Sequence, residues 1–277
     1  MHAKRNSNRP AIMGILNVTP DSFSDGGLYV DGEKAIAQAL AMAAQGADII
    51  DVGGESTRPG SARIAVSEQK RRVLTIIERL HRELPAQVRI SIDTTLSEVA
   101  QAALRAGARI INDISAGRED AAMFALAREH GAELVLMHMQ GTPENMHDDP
   151  SYTDVVAEVS AFLQARAQVA EAAGVPREKI ILDPGVGFGK TREHNLCLIA
   201  RLAEFAALDY QILLGTSRKR FMGSLLSVQP PAELVPATCA TTALGVMAGV
   251  DIFRVHDVAA NRQAADVAWG VRNATCD

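Results

Sequence analysis

Eight short apolar runs, rich in β-branched residues, recur along the chain, and each closes on a polar or glycine-rich cluster. The runs are 12–18, 48–52, 88–92, 109–114, 133–137, 179–182, 211–214 and 251–255. None shows the strict polar alternation of a half-exposed strand. Each therefore predicts a strand buried on both faces, as in a parallel sheet. Helical patterns fill the intervals. Val73, Ile76, Ile77, Leu80 and Leu84 keep the i, i+3, i+4, i+7 spacing behind a start at Ser67 and Glu68. Val155, Val159, Phe162 and Leu163 predict the longest helix, and Leu196, Ile199, Leu202 and Phe205 a third stripe. Gly46, Gly107, Gly131, Gly174 and Gly249 stand where helices should end, since glycine takes the left-handed cap conformation cheaply.

Such alternation leaves two architectures, an open doubly wound sheet or a (β/α)8 barrel. No linker divides the 277 residues, and the length suits a barrel. The polar clusters decide further. In a barrel all the strand ends converge on one mouth, whereas an open sheet would scatter them along an edge. The expectation is α/β, a single (β/α)8 TIM barrel domain over 1–277.

Charge narrows the partners. Lys and Arg number 28 against 33 Asp and Glu, a net charge of −5, so no global basic field holds a nucleic acid or an acidic membrane. Any bound anion needs a local site. Cys197, Cys239 and Cys276 match neither a zinc module nor a redox pair, and read as thiols of a reducing compartment. The apolar run behind Lys4, Arg5 and Arg9 is too short for a signal peptide. The uncharged stretch 234–250 contains Pro236 and falls short of a bilayer span. A soluble cytoplasmic protein is expected.

The chemistry should lie at the strand ends. Asn17 closes the first strand, and the loop behind it carries Asp21, Ser22, Asp25, Gly26 and Gly27. Oxygen ligands of this kind suit Mg2+ shared with a phosphate substrate, although an ordinary βα turn draws the same residues. The 51–60 loop, DVGGESTRPG, fits no nucleotide-binding fingerprint. Its Arg58 could pin a carboxylate or phosphate, although a solvated loop arginine is commoner. Asp93, Asn112 and Asp183 each end an inner strand. Three short polar side chains in a barrel mouth need partners, either neighbouring loops or the amide and amidine edges of a heterocycle. The 183–191 loop, DPGVGFGKT, lacks the Walker spacing, and its Phe188 could cover a planar ligand. Ser217, Arg218, Lys219 and Arg220 follow the seventh strand. Arg254 and His256 flank Val255 at the end of the eighth. Barrels often bind phosphate there, so the cluster reads as an anion site rather than a solvated charge run. His138 and His147 fit no metal spacing and stay unassigned.

Taken together, these motifs resemble the dihydropteroate synthases, a family of pterin-binding enzymes, from residue 12 to about 258. The resemblance implies a homodimeric barrel. Its activity would join 4-aminobenzoate to (7,8-dihydropterin-6-yl)methyl diphosphate, releasing diphosphate, with sulfonamides as competitors. It implies that Asn17 contacts Mg2+ on the diphosphate and that Asp25 joins when its loop closes. Asp93, Asn112, Asp183 and Lys219 would hold the pterin. Thr57, Arg254 and His256 would bind diphosphate. Phe23, Arg58, Pro59, Phe188, Ser217 and Lys219 would shape the aminobenzoate pocket. Asn17, Asp25, Lys219, Arg254 and His256 would be the catalytic set of an SN1-like transfer. A pterin-binding methyltransferase domain and a non-catalytic pterin carrier are the alternatives.

Overall fold

The computed structural model describes residues 9–18, 27–55 and 64–275. Its strands are β1 (Ala11–Asn17), β2 (Ile49–Gly53), β3 (Arg89–Asp93), β4 (Ile110–Asp113), β5 (Glu133–Met137), β6 (Ile180–Asp183), β7 (Gln211–Leu214) and β8 (Ile252–Val255). They alternate with α1 (Gly27–Ala44), α2 (Val66–Glu83), α3 (Ser97–Ala106), α4 (Ala122–His130) and α5 (Val155–Ala172) in the first half. The second half carries α6 (Arg192–Ala200), α7 (Leu202–Ala206), α8 (Arg220–Leu226), α9 (Val235–Ala248) and α10 (Val258–Arg272). The strands pair in sequence order, all parallel, and β8 returns to β1 to close the barrel.

Closure explains the uninterrupted apolar runs. Outward-facing residues such as Ile50, Val52, Ile92, Ile111 and Leu182 pack beneath the helices in the main core. Inward-facing Met13, Ile49, Ile110, Val135, Ile181, Leu213 and Ile252 form a separate apolar layer inside the barrel. Side chains alternate across a strand with a period of two. Two residues beyond that inner layer, the same face therefore carries Asp51, Asn112, Asp183 and Arg254. Asp93 occupies the equivalent place two residues beyond Ser91. The apolar layer thus forms the floor of a polar mouth.

The expected strands sit within a residue or two of the observed ones. All five anticipated cap glycines have positive φ, from 59° at Gly131 to 123° at Gly107. One helix differs. The stripe from Leu196 to Phe205 is split between α6 and α7, because Arg201 is the cap of both and leaves helical geometry at φ −112°. Its side chain is drawn to Asp154 at 3.1 Å and Glu204 at 2.6 Å, and Leu196 is left exposed. The helix with the Val155 stripe, α5, has 18 residues, the same length as α1 and α2. Among the described residues, no helix is long and apolar enough to cross a membrane.

Candidate active site

Arg254 organises one side of the mouth. From β8 its Nε donates to Asp51 Oδ2 at 2.7 Å and its Nη2 to Asp93 Oδ2 at 2.7 Å. Asn112 Nδ2 donates to the same Asp51 oxygen at 3.0 Å. One guanidinium thus ties β8 to β2 and β3, and the shared carboxylate adds β4. Asp51 is fully buried, and among the described residues its Oδ1 has no hydrogen-bond partner. Burial works against the Arg254 cation, but Asp51 and Asp93 hold it charged. Burial also pushes the Asp93 carboxyl above the ordinary carboxylate range; Arg254 opposes that shift and the Asp51 charge adds to it. A methyl group placed on Gly53 would lie 3.7 Å from both Asn17 Oδ1 and Asp93 Oδ2. Asn17 and Asp93 therefore flank one bare stretch of backbone.

The opposite side is built by the loop after β6. Asp183 accepts from Gly185 N–H at 2.7 Å, and burial raises its carboxyl while Lys219 draws it down. Lys219, just before α8, donates to the Val186 carbonyl and stands 4.7 Å from the centre of the Phe188 ring. Burial lowers the Lys219 ammonium to about 8, and Asp183 opposes the fall. Phe188 rests on a small apolar cluster of Ile114, Met137, Met139 and Met146.

The loop packs unusually close to the end of β5. At Gly185, φ is +65°, and an added Cβ would lie 1.9 Å from the His138 carbonyl oxygen. Glycine is required there on both counts. Lys190 is buried behind this contact, with Nζ 2.9 Å from His138 Nδ1, 3.0 Å from Gly185 O and 2.9 Å from Phe188 O. Burial, with the nearby Lys190 and Arg118 charges, depresses the His138 imidazole to about 2, so it is neutral. Its Nδ1 then accepts from Lys190, and its ring proton sits on Nε2.

Ser217 and His256 form the third group. The His256 backbone N–H donates to Ser217 Oγ at 3.1 Å, and that hydroxyl lies 3.0 Å from His256 Nδ1. That hydroxyl can give its proton to Nδ1, which places the imidazole proton on Nε2. The basic run divides here. Arg218 is neutralised by Asp257 through contacts of 2.9 and 2.5 Å, and Arg220 is exposed at the start of α8. Lys219 alone of the three turns into the mouth.

Nine of the anticipated side chains are thus at the strand ends: Asn17, Asp93, Asn112, Asp183, Phe188, Ser217, Lys219, Arg254 and His256. Phe23, Asp25, Thr57, Arg58 and Pro59 lie outside the described residues. Asp51, His138 and Lys190 were not singled out as site residues, although all three belong to polar clusters at strand ends. The available signal for Asp51 was its place two residues beyond Ile49 on one strand face.

Residues 13–256 match the family described as pterin binding enzyme. The Synechocystis dihydropteroate synthase is 45% identical over 264 residues, covering 94% of this chain and 91% of that protein. The Yersinia pestis dihydropteroate synthase, solved as a sulfonamide drug complex, superposes with a TM-score of 0.90 at 40% identity over 99% of both chains. The Xanthomonas albilineans dihydropteroate synthase in complex with 7,8-dihydropteroate superposes at 0.87 and 40% identity, over 99% of this chain and 98% of that one. The chain therefore belongs to the dihydropteroate synthases, within the pterin binding enzyme family.

Proposed function

We propose that the barrel mouth condenses 4-aminobenzoate with (7,8-dihydropterin-6-yl)methyl diphosphate, giving 7,8-dihydropteroate and diphosphate. The observation that supports this best is the polar layer of strand-end side chains above the apolar floor. Asp93, Asn112 and Asp183 end three strands and face Lys219 and Arg254, in a chain 40% identical to an enzyme solved with 7,8-dihydropteroate. Carboxylates and a carboxamide suit the amidine and amide edges of a pterin. Phe188, with Lys219 above its ring, would wall the aminobenzoate side together with Ser217.

The neutral aryl amine brings its own lone pair, so no strong general base is needed. The difficult event is departure of the diphosphate, which takes the electron pair of the breaking C–O bond. Arg254 and the Nε2 proton of His256 would meet the growing negative charge. Asp93 and Asp183 would stabilise the positive charge left on the pterin methylene. The amine nitrogen then forms the C–N bond, and its surplus proton passes to water. This is a dissociative, SN1-like route.

Mg2+ fits as an ion carried by the diphosphate. Among the described residues no group of three or more His, Cys, Asp and Glu could hold a metal alone. Asn17 offers a carboxamide oxygen at the end of β1, and Mg2+ characteristically takes few protein ligands beside phosphate oxygens. Asn17 and Asp25 would hold it. When bound, it adds positive charge to the leaving group. Thr57, Arg58, Pro59 and Phe23 would complete the diphosphate and aminobenzoate contacts. Sulfonamides would compete at the aminobenzoate position, as the Yersinia complex suggests.

The protein would act in the cytoplasm as one catalytic domain and as a homodimer. Leu244 and Met247 on α9, and Val267 and Val271 on α10, are 57%, 51%, 69% and 62% exposed. Two packed helices presenting that much aliphatic surface suit an interface between copies. A monomer in sedimentation velocity would contradict it. The function itself is tested by mass-spectrometric detection of 7,8-dihydropteroate from the two substrates and Mg2+. No product from folded protein would overturn the reading.

A further inference from the structure

Lys190 is buried, yet nothing in the reaction above uses it. Its Nζ lies 2.9 Å from His138 Nδ1, 2.9 Å from Phe188 O and 3.0 Å from Gly185 O, with His138 O more distant at 3.4 Å. Three short acceptors match the three protons of an ammonium. A neutral amine would leave one of them facing a lone pair. Burial pulls the amine well below its ordinary value, and Asp183 opposes that pull. The three accepting contacts supply the further stabilisation of the charged form.

These acceptors lie on two different segments. His138 follows β5, whereas Gly185 and Phe188 belong to the loop after β6. That loop carries one side of the site. Gly185 N–H fixes the Asp183 carboxylate, the Val186 carbonyl receives Lys219, and the Phe188 ring lies under the same ammonium. Tyr152 adds an outer fastening through its hydroxyl to Gly189 O at 2.7 Å. The opposite side, Arg254 with Asp51 and Asp93, and Ser217 with His256, has no hydrogen bond to Lys190.

We infer that Lys190 is a positioning residue for the pterin side of the site. Its buried ammonium ties the 184–189 loop to the end of β5, and so holds Asp183, Phe188 and Lys219 in ligand-binding geometry. This rests on the pterin reading above. The test compares two ligands on one variant, because a loop-specific role and a general structural role divide there. Lys190→Met keeps similar length and volume but donates nothing. Titration calorimetry with 6-hydroxymethylpterin should show affinity falling by about ten- to a hundredfold. Titration with Mg2+ and inorganic diphosphate should stay within about twofold, since its contacts do not run through the loop. If Lys190→Met does not fold, His138→Phe carries the same comparison. It removes one acceptor and keeps a ring against Phe162, and should give the same split at smaller size. Unchanged pterin affinity, or equal loss for both ligands, would overturn the inference. A wild-type protein that binds no pterin would instead overturn the functional reading, and this inference with it.

Discussion

Replacing Asp51 by Asn should be costly, although Asp51 touches no expected ligand. The carboxylate is fully buried and accepts from Arg254 at 2.7 Å and Asn112 at 3.0 Å through one oxygen. Removing one partner of a buried ion pair typically costs about 3–5 kcal/mol, because the other charge is left uncompensated. Two features reduce that here. Arg254 keeps Asp93 through Nη2 and is 22% exposed, so it is neither unpaired nor dry. An Asn oxygen can still accept one hydrogen bond. About 2–3 kcal/mol is then expected. For a chain of 277 residues that corresponds to a Tm lower by about 3–5 °C in differential scanning calorimetry. The variant should also lower the Asp93 pKa, because the Asp51 charge helps to raise it. That is read from 13C chemical shifts of the carboxyl during an NMR pH titration. A Tm within about 2 °C of wild type, together with an unmoved Asp93 titration, would refute the account of Asp51 as the counter-charge of Arg254.

Two other outcomes follow from the same geometry. The Lys219 ammonium is held near 8, so pterin affinity should fall as pH rises through that value and the charge is lost. Lys219→Arg should remove the alkaline fall, whatever its effect on absolute affinity, since a guanidinium does not titrate there; an unchanged alkaline limb in a fluorescence titration would count against Lys219. Gly185→Ala should destabilise the protein by about 3 kcal/mol or more, because the added carbon meets the His138 carbonyl at 1.9 Å with φ at +65°. A urea midpoint equal to that of wild type would show that the β6 loop does not need its close approach to β5.

The barrel was legible because its signals are local and redundant. Eight doubly buried strands, five glycine caps and a polar cluster behind nearly every strand all agree. The strand-end residues Asp93, Asn112, Asp183, Arg254 and His256 were legible for the same reason. Asp51 was harder to read, because a shift of one residue in strand register moves a side chain from the barrel interior to the helices. Only the observed parity, with Ile49 and Asp51 facing inward, shows that it meets Arg254 across the mouth. Lys190 and His138 were hidden differently. They are 52 residues apart, and their contact depends on a close approach that two positive-φ glycines, Gly185 and Gly189, permit. The split between α6 and α7 escaped because the apolar stripe runs on through Arg201, whose departure from helix follows partners at Asp154 and Glu204.

The coupling expected at this mouth is departure of diphosphate with capture of the pterin methylene by an aryl amine. Its most direct test is a single-turnover experiment with enzyme in excess over (7,8-dihydropterin-6-yl)methyl diphosphate, Mg2+ and 4-aminobenzoate, following diphosphate and 7,8-dihydropteroate together. The two products should form in equal amounts and at the same rate, and Asp183→Asn should slow both. Folded protein that binds the pterin diphosphate but forms neither product, or releases diphosphate without forming the C–N bond, would contradict it.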